Sequence, residues 1–208
     1  MSKINKTNLE IKAFFSHLQS TTKVDLWITD PPYPFENQNG TGRMKFEDGK
    51  DEMYVRLTYK DLEWCYDQMF QISNSGAGCY VFANRDGLFP TKESLEKAGW
   101  TFRNIIVWDK VNMSMGYHWR NQVEYIVYCT KGATKKYVTG LPNIFHEKKP
   151  AGLSAKPPKI WETIMEQQLR DMEVVCDPFA GSDPLSIALN NNQNLMQKVG
   201  ASYSNIYT

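Results

Sequence analysis

Apolar and polar residues follow two patterns along the chain, with helical spacing in some segments and unbroken apolar runs in others. Helical spacing predicts helices over residues 8–18, 58–72, 91–99 and 157–170. Runs of β-branched and aromatic residues predict strands over residues 24–29, 76–84, 100–110, 122–132, 172–177 and 195–205. Because strands and helices alternate, we expect an α/β fold with a mostly parallel sheet, an antiparallel portion, and helices on both faces.

Two polar segments interrupt this pattern. Residues 36–52, "ENQNGTGRMKFEDGKDE", form a glycine-rich stretch, and residues 112–121, "NMSMGYHWRN", separate the third and fourth predicted strands. Long loops in compact domains are usually either functional or disordered. Both segments are therefore candidate loops for contact with a ligand, and we call them contact loops.

The composition limits the kinds of protein that the chain can be. Its 208 residues suit a single domain over residues 1–208, and 41% hydrophobic residues indicate a folded protein. The formal net charge of +1 gives no overall basic field, so a site for a polyanion has to be local. No apolar run approaches the length of a membrane span and no export signal is visible. The cysteines are expected to be buried free thiols, which suits the cytoplasm; they are Cys65, Cys79, Cys129 and Cys176.

The first predicted strand runs into "DPPY", a sequence that neither a helix nor a strand can continue. Pro31 and Pro32 lack a backbone N–H and fix φ, so the strand has to end at Asp30. The carboxylate and the backbone carbonyls are then held in one arrangement, beside the aromatic faces of Tyr33 and Phe35. Such a ledge of acceptors suits a planar ligand that carries an amino group. The structural alternative is an ordinary proline turn.

A second acidic turn, "DPFAGS", follows a later strand. The strand is predicted to end at Asp177 and the chain to turn through Gly181. A helix then begins with Ser182 or Asp183 as N-cap and Pro184 in its first turn. Ligands of open α/β sheets bind beyond the carboxyl ends of the strands, where a glycine allows close approach to the backbone. The patterns GxGxxG and GxxxxGK[ST] are absent, so neither a dinucleotide nor a triphosphate is indicated.

Together, the two motifs resemble those of the S-adenosylmethionine-dependent DNA methyltransferases that modify exocyclic amino groups, adenine N6 or cytosine N4. "DPPY" looks like the catalytic motif of that family and "DPFAGS" like its cofactor motif, and their order is similar to the permuted β class. Weaker elements match in the expected order; they are "VWDK", "RNQVEYIVYCTKG" and "AKPPKIWETIM". The resemblance extends from about Val24 to Ser202 and implies a Rossmann-like methyltransferase domain.

The resemblance implies roles for particular residues. Asp30 and the Pro31 carbonyl, within the motif that Pro32 completes, would accept from the amine of a base flipped out of double-stranded DNA, and Tyr33 would stack on that base. S-adenosylmethionine would bind along a second set, which comprises Asp30, Lys156, Pro157, Asp177, Pro178, Phe179, Gly181 and Ser182. Transfer would be direct, without a metal. An acid at the first motif position favours adenine.

DNA contact would come from basic and aromatic side chains in or near the two loops. The candidates are Phe35, Arg43, Lys45, Lys110, Tyr117, His118, Trp119 and Arg120. The sequence "GYHWRN" combines stacking surfaces with a bidentate donor, with Trp119 as a core residue being the alternative. Dimers are common in the β class, so the resemblance leaves a homodimer open, and it implies a bacterial, archaeal or phage-encoded enzyme of the host cytoplasm.

Two positions depart from the family pattern. Asp183 stands where the second glycine is expected, and its carboxylate would either crowd the cofactor or point away from it. Ser202 stands near the place of an acid that binds the ribose hydroxyls. These departures leave a degenerate nucleic-acid-binding homologue as one rival. Methylation of cytosine N4 or of an RNA base is the other, because it uses the same motif.

Overall fold

A computed structural model describes residues 6–32, 57–114, 118–134, 140–150 and 156–204. The helices are α1 (Lys6–Thr21), α2 (Tyr59–Ile72), α3 (Leu88–Lys97), α4 (Pro158–Gln168), α5 (Pro184–Asn191) and α6 (Gln193–Lys198). The strands are β1 (Val24–Thr29), β2 (Ser73–Ala83), β3 (Thr101–Asp109), β4 (Val123–Thr130), β5 (Ile144–His146), β6 (Glu173–Asp177) and β7 (Val199–Ser204).

In the described part of the chain the strands form one seven-stranded sheet in the order β5-β3-β4-β2-β1-β6-β7. Strand β4 runs antiparallel to both of its neighbours, and the remaining pairs are parallel. The predicted mostly parallel sheet with an antiparallel portion is therefore confirmed. Strand β2, which follows β1 in the chain, lies on one side of the β1–β6 pair, and β7, which follows β6, lies on the other side. The carboxyl ends of β1 and β6 thus meet at a topological switch point, where ligands of such sheets bind.

Side chains that alternate along β1 separate two hydrophobic cores. Trp27 packs with α1, α2 and α3 on one face, and its indole N–H donates to Ser73 Oγ at 2.8 Å. Leu26 and Ile28 pack with α4, α5 and α6 on the other face. There the rings of Phe82 and Trp161 stack with centroids 4.8 Å apart. Burial of each large apolar side chain stabilises the folded state by about 1.5–3 kcal/mol, so the packing on both faces fixes the position of β1.

Several helix ends match the predictions and two elements do not. Gly99 has φ of 100° just after α3, as expected of a residue that ends a helix. Strand β5 lies between residues 132 and 157, where neither a helix nor a strand was predicted. The last strand was predicted from residue 195, whereas α6 occupies the chain up to Lys198. The reason is that the Asn192 side chain accepts from Leu195 N and caps α6, and Leu195 is buried against the core.

The cysteine prediction is confirmed, because all four cysteines are buried free thiols. Among the helices that the structure describes, none has the length and apolar content needed to cross a bilayer.

Candidate active site

Asp30 is the first residue after β1, as predicted. All six residues of the strand are buried, Pro31 after it is buried, and Pro32 is partly buried. The chain therefore carries Asp30 to the edge of the core at the switch point. Tyr33 and Phe35, the aromatic residues predicted beside it, lie outside the described residues.

The two acidic motifs meet through a buried hydrogen bond. Thr29 Oγ1 donates to Asp177 Oδ1 at 2.6 Å, and the backbone N–H of Phe179 donates to the same oxygen at 3.1 Å. Within the described ranges, no donor lies within hydrogen-bond distance of Asp177 Oδ2. Burial raises the pKa of Asp177 to about 7, although the bonds from Thr29 and Phe179 lower it. A buried carboxyl group with an unsatisfied oxygen is suited to a ligand that brings a donor or a positive charge.

The turn after β6 leaves open backbone beside this carboxyl group. Gly181 has φ of 53°, and a Cβ atom placed on it would meet nothing closer than the Phe179 carbonyl oxygen at 4.0 Å. Gly181 and Ser182 are exposed, and Pro178 is buried. The Phe179 side chain belongs to the core on the α1 and α2 face. The backbone of the turn, more than the Phe179 ring, thus borders the open space.

Asp183, the departure from the family pattern, is the N-cap of α5, and Pro184 follows it in the first turn as predicted. Asp183 Oδ1 accepts from Ser186 N at 3.2 Å and from Ser204 Oγ at 2.9 Å. The residue has φ of 51°, a left-handed conformation that glycine or a capping Asp tolerates. The carboxylate is therefore directed to α5 and β7.

Ser202 was expected near the place of the acid that binds the ribose hydroxyls. Ser202 is exposed and pairs with Val175, two positions before the end of β7. Ser204 is the residue opposite Asp177, because α6 delays the start of β7. Ser204 thus lies at the carboxyl end of the strand.

A basic side chain lies directly on Asp30. Lys156 precedes Pro157, the N-cap residue of α4, and its Nζ is 2.7 Å from Asp30 Oδ2 and 3.3 Å from Glu124 Oε2. Burial disfavours the charged form of Lys156, but the two carboxylates outweigh burial and raise its pKa. Lys156 was predicted to lie at the cofactor, and in this structure its ammonium group pairs with Asp30, a residue of the same predicted set.

Glu124 and Lys110 continue this arrangement towards the predicted contact loop. Lys110 Nζ lies 3.3 Å from Glu124 Oε1. A cleft of about 150 Å³ lies beside this pair, between the end of β2 and the loop after β3. Glu124 was not among the site residues that the sequence predicted. Its place as an acidic residue within the apolar strand β4 is the sequence signal that could have indicated a specific charged partner.

The loop between β3 and β4 is held by local hydrogen bonds. Ser114 N donates to the Asn121 carbonyl at 2.8 Å, and Arg120 Nε donates to the Ser114 carbonyl at 2.7 Å. At its base, Asp109 Oδ1 accepts from Gln122 Nε2 at 2.7 Å and from Val111 N at 2.8 Å. The Gln122 bond, followed by those from Val111 and His146, holds the pKa of Asp109 below its usual range.

Trp119 in this loop is 97% exposed, so the alternative of a core residue is wrong. His118, beside it, has φ of 54° and is exposed. Four of the predicted DNA-contacting residues, Phe35, Arg43, Lys45 and Tyr117, lie outside the described residues, as does the whole 36–52 loop. Across the ranges that the structure describes, no cluster of His, Cys, Asp and Glu side chains could hold a metal ion.

The sequence matches the model of the N6/N4 methyltransferase family, described as "DNA methylase", over residues 24–152, which is more than half of the chain. The protein therefore belongs to the N6/N4 family of DNA methylases. No curated protein matches the sequence.

Solved structures support the same fold. M1.HpyAVI in complex with S-adenosylmethionine has a TM-score of 0.66 at 20% identity, covering 98% of this chain and 92% of that chain. The TTHA0409 protein of Thermus thermophilus, complexed with S-adenosyl-L-methionine, has a TM-score of 0.60 at 19% identity, with coverages of 93% and 86%. The cytosine-N4-specific PvuII DNA methyltransferase has a TM-score of 0.65 at 12% identity, with coverages of 93% and 79%.

Proposed function

We propose that this protein transfers a methyl group from S-adenosylmethionine to N6 of an adenine in double-stranded DNA. The main structural support for this proposal is the hydrogen bond from Thr29 to Asp177. It joins the end of β1, where Asp30 begins the "DPPY" motif, to the end of β6, where Asp177 begins "DPFAGS". Both motifs therefore border the ligand site that the switch point of the sheet provides.

The residues at the end of β6 fit the cofactor. Asp177 offers a buried acceptor to the ammonium group of its amino-acid part, and the exposed turn at Gly181 gives access to the backbone. S-adenosylmethionine supplies a methyl group on a sulfonium centre, which a nucleophilic nitrogen attacks in line. Two structures of similar fold, M1.HpyAVI and TTHA0409, are complexes with this cofactor. Asp30, Lys156, Pro157, Pro178, Phe179 and Ser182 complete the proposed cofactor region.

Asp30 has the central role in the proposed reaction. Its carboxylate and the Pro31 carbonyl accept hydrogen bonds from the exocyclic amine, which directs the nitrogen lone pair away from conjugation with the ring. Pro32 fixes the backbone beneath them, and Tyr33 stacks on the base. A bond forms from nitrogen to the methyl carbon as the bond from carbon to sulfur breaks, and the nitrogen then releases a proton to solvent. An amine inside a duplex is stacked and paired, so this contact requires the base to be flipped out.

The choice of adenine follows from the acid at position 30, since members of the family that act on cytosine more often carry serine there. Cytosine N4 is the second candidate, and it is favoured by the similarity in fold to the cytosine-N4-specific PvuII enzyme. On the DNA side, Lys110 and Arg120 are the proposed phosphate contacts. The exposed Trp119 is proposed to stack on a base.

The test is transfer of a labelled methyl group from S-adenosylmethionine to mixed-sequence duplex DNA and to matched RNA, followed by nucleoside analysis. Label in N6-methyladenine from DNA supports the proposal. Label in 4-methylcytosine, or in RNA alone, would replace it by the corresponding alternative. Absence of both transfer and cofactor binding would favour a degenerate nucleic-acid-binding homologue.

A further inference from the structure

Four charged side chains form a continuous row of ion pairs from the contact loop to the proposed catalytic acid. Lys110 pairs with Glu124 at 3.3 Å, Glu124 pairs with Lys156 at 3.3 Å, and Lys156 pairs with Asp30 at 2.7 Å. The row joins the end of β3, strand β4, the residue before Pro157 and the end of β1. It therefore spans the edge of the sheet where both motifs lie.

The row is protected from solvent along its length. The side chains of Lys110, Glu124, Lys156 and Asp30 are 13%, 19%, 9% and 22% exposed, respectively. Ion pairs in such surroundings are screened less than surface pairs, and removal of one partner leaves a poorly solvated charge. The signs alternate, so each charge lies beside charges of the opposite sign. The two carboxylates balance the two ammonium groups.

Glu124 lies between two lysines in this row, because one carboxylate oxygen pairs with Lys110 and the other with Lys156. The Lys156 ammonium lies 2.7 Å from Asp30 and 3.3 Å from Glu124, so Glu124 is a second, more distant carboxylate that shares this positive charge with Asp30. Lys110 draws Glu124 in the opposite direction. A DNA phosphate that engages Lys110 would weaken its hold on Glu124 and so strengthen the pull of Glu124 on Lys156.

We infer that Glu124 is a positioning residue that holds Lys156 between two carboxylates and thereby links the charge at Lys110 to the acceptor strength of Asp30. The consequence for methyl transfer rests on the proposed function of Asp30. The link between the charges does not, and it can be measured without any reaction.

The first experiment follows the Lys156 ammonium by NMR in protein labelled at its lysine side chains, over a pH titration. The charged groups facing it are Asp30 and Glu124, with Lys110 beyond Glu124 and Asp177 beyond Asp30. Glu124→Gln should lower the pKa of Lys156, because one of the two carboxylates that raise it is lost. Lys110→Met should raise it, because Glu124 then acts on Lys156 alone. The matched control is Glu96→Gln, which removes an ion pair with Lys92 on α3.

The second experiment measures turnover. Glu124→Gln should lower kcat by roughly ten- to a hundredfold, with a smaller change in cofactor affinity, since misplacement of a reacting group acts mainly on the chemical step. Glu124→Asp should recover part of the loss, and Glu96→Gln should leave kcat unchanged. Thermal unfolding of each variant separates these effects from a loss of folding.

The two experiments separate failure of this inference from failure of the proposed function. Opposite shifts of the Lys156 pKa in Glu124→Gln and Lys110→Met support the link even if the wild-type protein transfers no methyl group. A Lys156 signal that does not respond to Glu124→Gln, or that shifts in the same direction in both variants, overturns it. Full kcat of Glu124→Gln in an active enzyme overturns the positioning role.

Discussion

The hydroxyl group of Thr29 donates a 2.6 Å hydrogen bond to Asp177, a residue 148 positions later in the chain. This bond lies between two adjacent parallel strands, so it aligns the ends of β1 and β6 side by side. The geometry of the proposed site depends on that alignment, because Asp30 and the turn after Asp177 continue directly from the bonded residues.

Replacement of Thr29 by Val should weaken both the fold and the cofactor site. Loss of a hydrogen bond to a buried carboxyl group costs about 1.5–3 kcal/mol. The same change should raise the pKa of Asp177 further, since the Thr29 bond lowers it in the wild type. Cofactor affinity should therefore fall more at pH 7 than at pH 9, where Asp177 is ionised in both proteins. Urea unfolding and calorimetry at the two pH values test this, with Thr29→Ser as the control that keeps the bond.

Asp177 should make stability depend on pH. Its pKa in the folded protein is about 7, above the ordinary value near 4, so the folded state binds more protons than the unfolded state between these values. Stability from this group is thus complete below about pH 4 and is lost as the pH rises towards 7, by roughly 4 kcal/mol in total. Asp177→Asn should gain stability relative to the wild type across that window. This assignment is contradicted if the difference in urea midpoint between Asp177→Asn and the wild type is the same at pH 4 and at pH 8.

Asp183 should contribute mainly to the start of α5. Asp183→Ala loses the cap and keeps the left-handed backbone, which together should cost about 1–3 kcal/mol. Asp183→Gly loses the cap but tolerates the backbone, so it should lie within about 1 kcal/mol of the wild type. Cofactor affinity should change little in Asp183→Gly, because the carboxylate is directed to Ser186 and Ser204. A large gain in affinity would instead indicate that Asp183 crowds the cofactor.

Trp119→Ala should affect DNA binding without affecting folding. The side chain is 97% exposed, so its removal should shift the free energy of unfolding by less than about 0.5 kcal/mol. Loss of stacking on one base should raise the dissociation constant for DNA by roughly tenfold or more. Phe89→Ala on α3, where the side chain is 68% exposed, is the matched control and should bind DNA normally. Fluorescence anisotropy with a labelled duplex distinguishes the two variants, and equal affinities would remove Trp119 from the interface.

Most strands and both motif turns could be predicted from the sequence because their signals are local. Pro31 and Pro32 stop a ladder wherever they occur, and Gly181 permits a left-handed turn in any fold. The apolar runs also determine which segments are buried. These features depend on neighbours in the chain, and the structure confirms where β1 and β6 end.

The charged contacts could not be predicted, because they depend on pairing across the sheet. Glu124 reaches Lys156 only through the positions of β4 and of the start of α4. Ser204, not Ser202, lies opposite Asp177 because α6 shifts the start of β7. The exposure of Trp119 follows from how the β3 to β4 loop projects, which hydropathy alone does not reveal.

The role of Asp30 is tested most directly by comparing methyl transfer to DNA by the wild-type protein and by Asp30→Asn, which keeps the shape of the side chain beside Lys156. Cofactor binding is measured in parallel, and Asp171→Asn, at an exposed acid in the turn before β6, is the control. We expect N6-methyladenine from the wild type and the control. We expect a loss of transfer in Asp30→Asn, with its fold and cofactor binding retained. Undiminished transfer by Asp30→Asn would contradict the claim that Asp30 accepts the amine of the target base.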